Sequence, residues 1–328
     1  MKTYKAYLVE QTGEKEYKGS VTNLNTDQLP EGEVLIRVHY SSLNYKDALS
    51  ATGAPGVTKK YPFTPGIDAA GVVEESSDEK CKPGDEVIVT SYDLGMNTPG
   101  GFGQYIRVPA GWVVKLPQGL TLKESMALGT AGFTAGMAVA EIEKEIKPGD
   151  GEILVTGATG GVGSMAVAIL AKLGYEVVAV TGKESAHGYL KQLGAKTILS
   201  REQALEKKER PILKPRWAGV VDTVGGEILA NAIKATQING VVTACGNVAS
   251  PQLPTNVFPF ILRGVKLIGI DSQNCEMSRR EKFWKKLARE WKPGQLMEMT
   301  REVSMEDLSK EIQSILKGQM QGRVLVRL

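Results

Sequence analysis

The chain reads as an α/β protein: a doubly wound parallel sheet joined to an irregular, antiparallel barrel-like β-domain. Three observations predict this. A strand, a glycine-rich turn and a small-residue helix follow one another without a break near the middle of the chain. Strands and helices then alternate, as a parallel sheet requires. Before that unit, short strands punctuated by Gly and Pro fill the first third.

The central unit starts with the apolar run Glu152-Ile153-Leu154-Val155. It turns through Thr156-Gly157-Ala158-Thr159-Gly160-Gly161-Val162-Gly163 and continues as the helical pattern Ser164 to Leu173. Glycines allow a sharp turn and close backbone approach to a pyrophosphate. The helix that follows aims open N–H groups and its positive dipole end at phosphate. The spacing departs by one position from the usual G-x-G-x-x-G. The flanking strand and helix still make dinucleotide binding at Gly160, Gly161, Val162 and Gly163 the expectation.

In chain order, Thr3–Val9 and Val34–Tyr40 alternate with period two. Asn44–Leu49 forms a short helix, and Ile67–Val73, Glu86–Thr90 and Gln104–Val108 are strands. The texture changes near Leu122, where Leu128–Ala138 reads as a small-residue helix. After the central unit come strand Glu176–Thr181, helix Ser185–Leu193, strand Lys196–Leu199, strand Trp217–Asp222 and helix Ile228–Thr236. Strands Gly240–Gly246 and Val265–Ile270 follow. Ser278–Trp291 and Met305–Lys317 are amphipathic helices, with Gly318 as a stop, and Arg323–Arg327 is a last strand. A tail this short has no core of its own, so it folds back on the N-terminal part. The expected division is 1–122 with 275–328 in one domain and 123–274 in the other.

Composition narrows the function. With 328 residues, 42% apolar and 23% charged, the chain can bury a substantial core. A net charge of +3 gives no bulk attraction to nucleic acid or membrane. Cys81, Cys245 and Cys275 have neither disulfide nor metal spacing. The opening residues enter a strand pattern rather than an export signal, and no apolar run has membrane length. A cytoplasmic enzyme without nucleic-acid or membrane partners is the expectation.

The strand ending at Thr181 is the second of the nucleotide unit, where NAD sites carry an acid for the ribose hydroxyls. Here Thr181-Gly182-Lys183 stands instead. Lys183 would attract a 2′-phosphate, so the expected cofactor is NADPH. Arg201, after the next strand, is a candidate second phosphate ligand.

Several further stretches carry a resemblance. They are Ser41–Ala48, Pro65–Gly71, Gly129–Ala135, Thr156–Gly163, Trp217-Ala218-Gly219, Pro259–Arg263 and Gln321-Gly322-Arg323. With these the chain resembles the medium-chain dehydrogenase/reductases of the zinc-free quinone oxidoreductase group, and more narrowly the YhdH/YhfP-type acrylyl-CoA reductases. The resemblance implies a GroES-like catalytic domain split around a Rossmann domain, a cleft between the two, and a homodimer. It implies that Tyr45 contacts the nicotinamide end and serves as proton donor, and that Asn44 orients substrate or cofactor. It also places Asn247, Ile261 and Ser272 near NADPH.

Leu43 and Ile67 occupy positions where zinc-dependent relatives carry ligands, the cysteines lack ligand spacing, and His39 and His187 read as ordinary surface or hydrogen-bonding residues. No metal is therefore expected. Without a Lewis acid, reduction of an activated double bond fits better than alcohol oxidation. Hydride delivery leaves enolate charge that hydrogen-bond donors must stabilise. Asn44, Tyr45 and Asp47 are the candidates; Asn44 and Asp47 also have the spacing of a helix cap. Arg323 either reaches the site from the tail or lies on an exposed edge strand. Two basic runs, Lys207-Lys208 to Arg216 and Arg279 to Lys292, read as solvated faces or as a landing site for coenzyme A phosphates. Trp284 and Trp291 read as one packing stripe. The expected reaction is reduction of acrylyl-CoA to propionyl-CoA. The alternatives are a quinone or enone reductase, and a non-catalytic NADPH- or RNA-binding protein.

Overall fold

A computed structural model of the chain describes residues 1–206 and 210–328. It contains two compact units. The first comprises Met1–Thr130, Gln273–Ala288 and Leu296–Leu328; the second comprises Ala131–Ser272 and Arg289–Gln295.

The first unit is built on a seven-stranded sheet. Its path runs Thr300–Ser304, Arg323–Arg327, Val34–Leu43, Asp68–Ser76, Glu86–Thr90 and Val114–Lys115, with Tyr105–Val108 paired to Val34–Leu43. The central strand Val34–Leu43 keeps its inward residues Val34, Ile36 and Val38 against Ala69, Val73, Val87 and Ile106. Burial of this aliphatic set on one face is what fixes the register. Thr3–Gly13 and Glu16–Asn25 form a separate antiparallel hairpin. The last strand, Arg323–Arg327, pairs antiparallel with the central strand: Val324 lies opposite Leu43 and Leu325 opposite Ser42. That register sets Arg323 beside the end of the central strand, where the chain turns into the helix Tyr45–Ala51.

The second unit is a six-stranded parallel sheet. Its order is Thr197–Leu199, Glu176–Val180, Glu152–Val155, Trp217–Asp222, Thr236–Ala244 and Lys266–Gly269. Numbered along this unit the order is 3-2-1-4-5-6, so the direction of winding reverses between Glu152–Val155 and Trp217–Asp222. Ligands of open α/β sheets bind at the carboxyl ends of strands at such a switch. The inner strands Glu152–Val155, Glu176–Val180 and Trp217–Asp222 are buried through most of their length, as covered parallel strands must be, whereas the outer strands Thr197–Leu199 and Lys266–Gly269 bury no residue fully.

Several expected elements differ. Among the described residues, three strands, Glu16–Asn25, Val114–Lys115 and Thr300–Ser304, and two helices, Arg201–Ala204 and Phe258–Arg263, were not anticipated. The helix expected over Ser278–Trp291 spans Met277–Leu287, so Trp284 and Trp291 are both fully buried but do not share a helix. Arg280, assigned to a solvated face, is fully buried; it donates to Thr90 O and Oγ1 at 3.0 and 2.9 Å and lies over the Tyr92 ring. Lys207 and Lys208, which open the other basic run, lie outside the described residues. Among the described residues no helix is long and apolar enough to cross a membrane.

Candidate cofactor turn and polar cluster

The glycine turn sits at the switch point. Gly157 has φ +57°, and a Cβ there would lie 2.3 Å from Thr223 Oγ1. A Cβ on Gly163 would meet the Gly157 carbonyl oxygen, also at 2.3 Å, so helix and turn pack too closely for any side chain. The helix Gly161–Lys172 is capped by Gly160, which has no side chain to cap with. Its first-turn N–H groups therefore remain open to an acceptor from outside the chain. Gly160 is exposed, Gly161 and Val162 are half-buried, and Gly163 is buried.

A buried carboxylate that sequence reasoning did not single out holds the floor of this turn. Asp222 ends its strand and accepts from Thr156 Oγ1 at 2.7 Å, from Gly225 N at 2.7 Å and from Val224 N at 3.2 Å. Burial pushes its pKa up, and these donors act against that rise. Thr156 Oγ1 in turn accepts from Thr223 N at 3.0 Å, so the two strand ends flanking the switch are tied together.

Beside the turn, Thr181 ends the second strand, its N–H bonded to Leu199 O. Its hydroxyl accepts from Lys183 N at 3.1 Å. Arg201 reaches back over Gly182: a Cβ on Gly182 would lie 3.0 Å from Arg201 Nε. Burial lowers the Lys183 pKa first, and the Arg201 charge lowers it further. Two cations thus gather at one strand end, where a bound dianion would relieve their repulsion. Asn247 and Ile261 are exposed, and Ser272 is half-buried and accepts from Thr134 Oγ1 at 2.8 Å.

The predicted catalytic residues lie together in the first unit. Tyr45 is the first residue of its helix and is 42% exposed, whereas Asn44, Asp47 and Arg323 are buried. Arg323 is thus no exposed edge residue, since its strand is flanked on both sides. Its Nη1 donates to Asn44 Oδ1 at 3.2 Å and Leu43 O at 3.3 Å, its Nη2 to Ser42 Oγ at 2.8 Å, and its Nε to Ala127 O at 3.1 Å. Asp47 accepts from Asn44 N at 2.7 Å and from Ile67 N at 2.8 Å. The first of these closes the helix start in the manner of a capping box. Burial, and next the nearby Asp68 charge, raise the Asp47 pKa to about 7. Leu43 and Ile67 are buried side chains without donor atoms. His39 Nε2 is buried without a hydrogen-bond partner among the described residues, and burial lowers its pKa.

Residues 30–118 match the model of the alcohol dehydrogenase GroES-like domain, and residues 161–289 match that of the zinc-binding dehydrogenase domain. The chain is 46% identical over 310 residues to acrylyl-CoA reductase AcuI of Ruegeria pomeroyi, covering 94% of each chain. It is equally similar, at 46% over 310 residues and 94% of each chain, to YhfP of Bacillus subtilis, which carries a quinone oxidoreductase name. Among solved structures, the YhdH oxidoreductase of Salmonella enterica in complex with NADP superposes with a TM-score of 0.96. It is 45% identical, with 99% of each chain covered. Bacillus subtilis YhfP with NAD bound gives a TM-score of 0.97 at 44% identity over 100% of each chain.

Proposed function

Because the chain belongs to the medium-chain dehydrogenase/reductase family, in its YhfP/AcuI-type group, we propose that it is an NADPH-dependent reductase of activated carbon–carbon double bonds. Its proposed substrate is acrylyl-CoA. The observation that carries the cofactor reading is the pairing of an open glycine-capped helix start with Lys183 and Arg201 at the next strand end. The N–H groups of Gly161 and Val162 hold the pyrophosphate. Lys183 and Arg201 hold the 2′-phosphate, and Thr181 fixes the backbone at Lys183. When bound, NADPH supplies the hydride that adds to the β-carbon of the thioester while the α-carbon takes a proton.

The chain's own residues do the rest. Tyr45 presents its hydroxyl from the exposed start of a short helix and is the proposed proton donor. Asn44, Asp47 and Arg323 are held inside the unit and fix that helix start. The substrate assignment is supported by the similarity to AcuI. The similarity to YhfP supports a quinone as the second candidate acceptor. The test is NADPH oxidation by the purified protein with acrylyl-CoA and with benzoquinone, followed by identification of the product. Propionyl-CoA formation supports the thioester reading; turnover of quinone alone replaces it.

A homodimer is proposed through the outer strand Lys266–Gly269, an open sheet edge that exposes Leu267; the helix preceding it in the chain exposes Leu262 to 60%. An apolar open edge is a template for pairing with a second copy. Sedimentation of the wild type should give twice the 35.3 kDa chain mass, and Leu267→Lys should shift it toward monomer. A monomeric wild type contradicts this.

A further inference from the structure

The last strand, the central strand, the strand starting at Asp68 and the helical run Leu122–Glu143 all bring polar groups to one buried carboxylate. Asp68 Oδ2 accepts from Ser42 Oγ at 2.6 Å, from Asn44 Nδ2 at 2.8 Å and from Thr130 N at 2.9 Å. Its Oδ1 accepts from Thr130 Oγ1 at 2.5 Å. Asp68 has no exposed surface. Arg323 Nη2 is 3.9 Å from Oδ2, too far for a direct bond, and Ser42 bridges the gap: its hydroxyl accepts from Arg323 and donates to Asp68. Such a relay polarises each bond in it.

The Asn44 amide lies between these charges. Its oxygen faces Arg323 and its nitrogen faces Asp68. Neither end can turn without placing like against like. The packing leaves no slack, since a Cβ on Gly129 would lie 2.5 Å from both Asp68 Oδ2 and Ser42 Oγ, and 2.6 Å from Arg323 Nη2. Tyr45 follows Asn44 directly, so the direction of the Asn44 backbone sets where the Tyr45 side chain leaves the helix.

We propose that Asp68 is the positioning residue of this site: with Arg323 it locks the Asn44 amide, and through it the helix start that carries Tyr45. The catalytic consequence rests on the reductase reading above; the structural consequence does not. An amide at position 68 keeps one acceptor oxygen but removes the negative charge that the Ser42, Asn44 and Thr130 donors share and that faces Arg323, so Asp68→Asn weakens the lock at little change in volume.

The experiment compares wild type, Asp68→Asn, and the neutral pair Asp68→Asn with Arg323→Gln. It measures amide exchange in segment 43–50 and in control segment 217–222, together with the thermal midpoint, and kcat and KM for NADPH. In Asp68→Asn, exchange in segment 43–50 should rise at least about tenfold with the control unchanged, and kcat should fall about tenfold or more with KM for NADPH within about twofold. The neutral pair removes the uncompensated buried charge, so its midpoint should recover while segment 43–50 stays fast and kcat stays low. Unchanged exchange in Asp68→Asn overturns the proposal. So does recovery of exchange and kcat together with the midpoint, which would mark a purely structural role. If Asp68→Asn does not fold, Thr130→Val removes one donor to Oδ1 and should give the same pattern at smaller amplitude; unchanged exchange there overturns the proposal equally. A wild type that reduces no electrophile defeats the reductase reading, and the exchange measurement still decides on Asp68.

Discussion

Around Gly157–Gly163 the backbone is shaped for binding and its first-turn donors stay open; around Asp68 side chains spend their donors on one another. The first region keeps its glycines because helix and turn nearly touch, and Gly160 adds no cap. The second keeps Gly129 because three polar atoms lie where its Cβ would be. An open set of donors is poised for a ligand. A closed set is a frame for the residue next to it, here Tyr45. The contrast assigns binding to the parallel-sheet unit and positioning to the antiparallel one.

The strongest way to break the contrast is at Gly129. Its φ is +52°, and Gly129→Ala would drive a methyl into the Asp68, Ser42 and Arg323 cluster. We expect a loss of about 3 kcal/mol or more, read as a fall in denaturation midpoint, with the helix Gly161–Lys172 still able to bind NADPH in whatever fraction folds. A near-neutral effect would mean that the cluster is loose.

A smaller effect concerns pH. The Asp47 carboxyl titrates near 7 in the folded chain against 3.8 as an unperturbed group. Between these values the native state holds a proton that the unfolded chain has released. This contribution to stability is therefore full below the unfolded pKa and is lost as pH rises through the folded one. Asp47→Asn cannot lose a proton. Its thermal midpoint should consequently fall less than that of the wild type between about pH 4 and about pH 8. Parallel slopes would contradict a raised Asp47 pKa.

Much of this was legible along the chain and some was not, for physical reasons. The nucleotide unit is local: turn, helix start and Lys183 lie in one stretch, and strands Trp217–Asp222 and Arg323–Arg327 follow the expected bounds because their apolar runs are clean. Glu16–Asn25 buries no residue fully and carries few apolar side chains, and Thr300–Ser304 buries only Val303, so neither gives a clear apolar alternation in the sequence. Phe258–Arg263 exposes most of its apolar residues, which hides a helical face. Asp68, Asp222 and the Ser42 relay act through residues distant in sequence, and only the fold brings those together. Arg280 shows the converse: a charge in a basic run that packing draws inside.

Reading of the 2′-phosphate by Lys183 and Arg201, as proposed above, is decided by titrating NADPH and NADH into the wild type and into the Lys183→Glu, Arg201→Glu double variant. The wild type should prefer NADPH. The double variant should lose about 100-fold or more in NADPH affinity while NADH stays within about threefold. An equal loss for both cofactors, or none, would contradict that role.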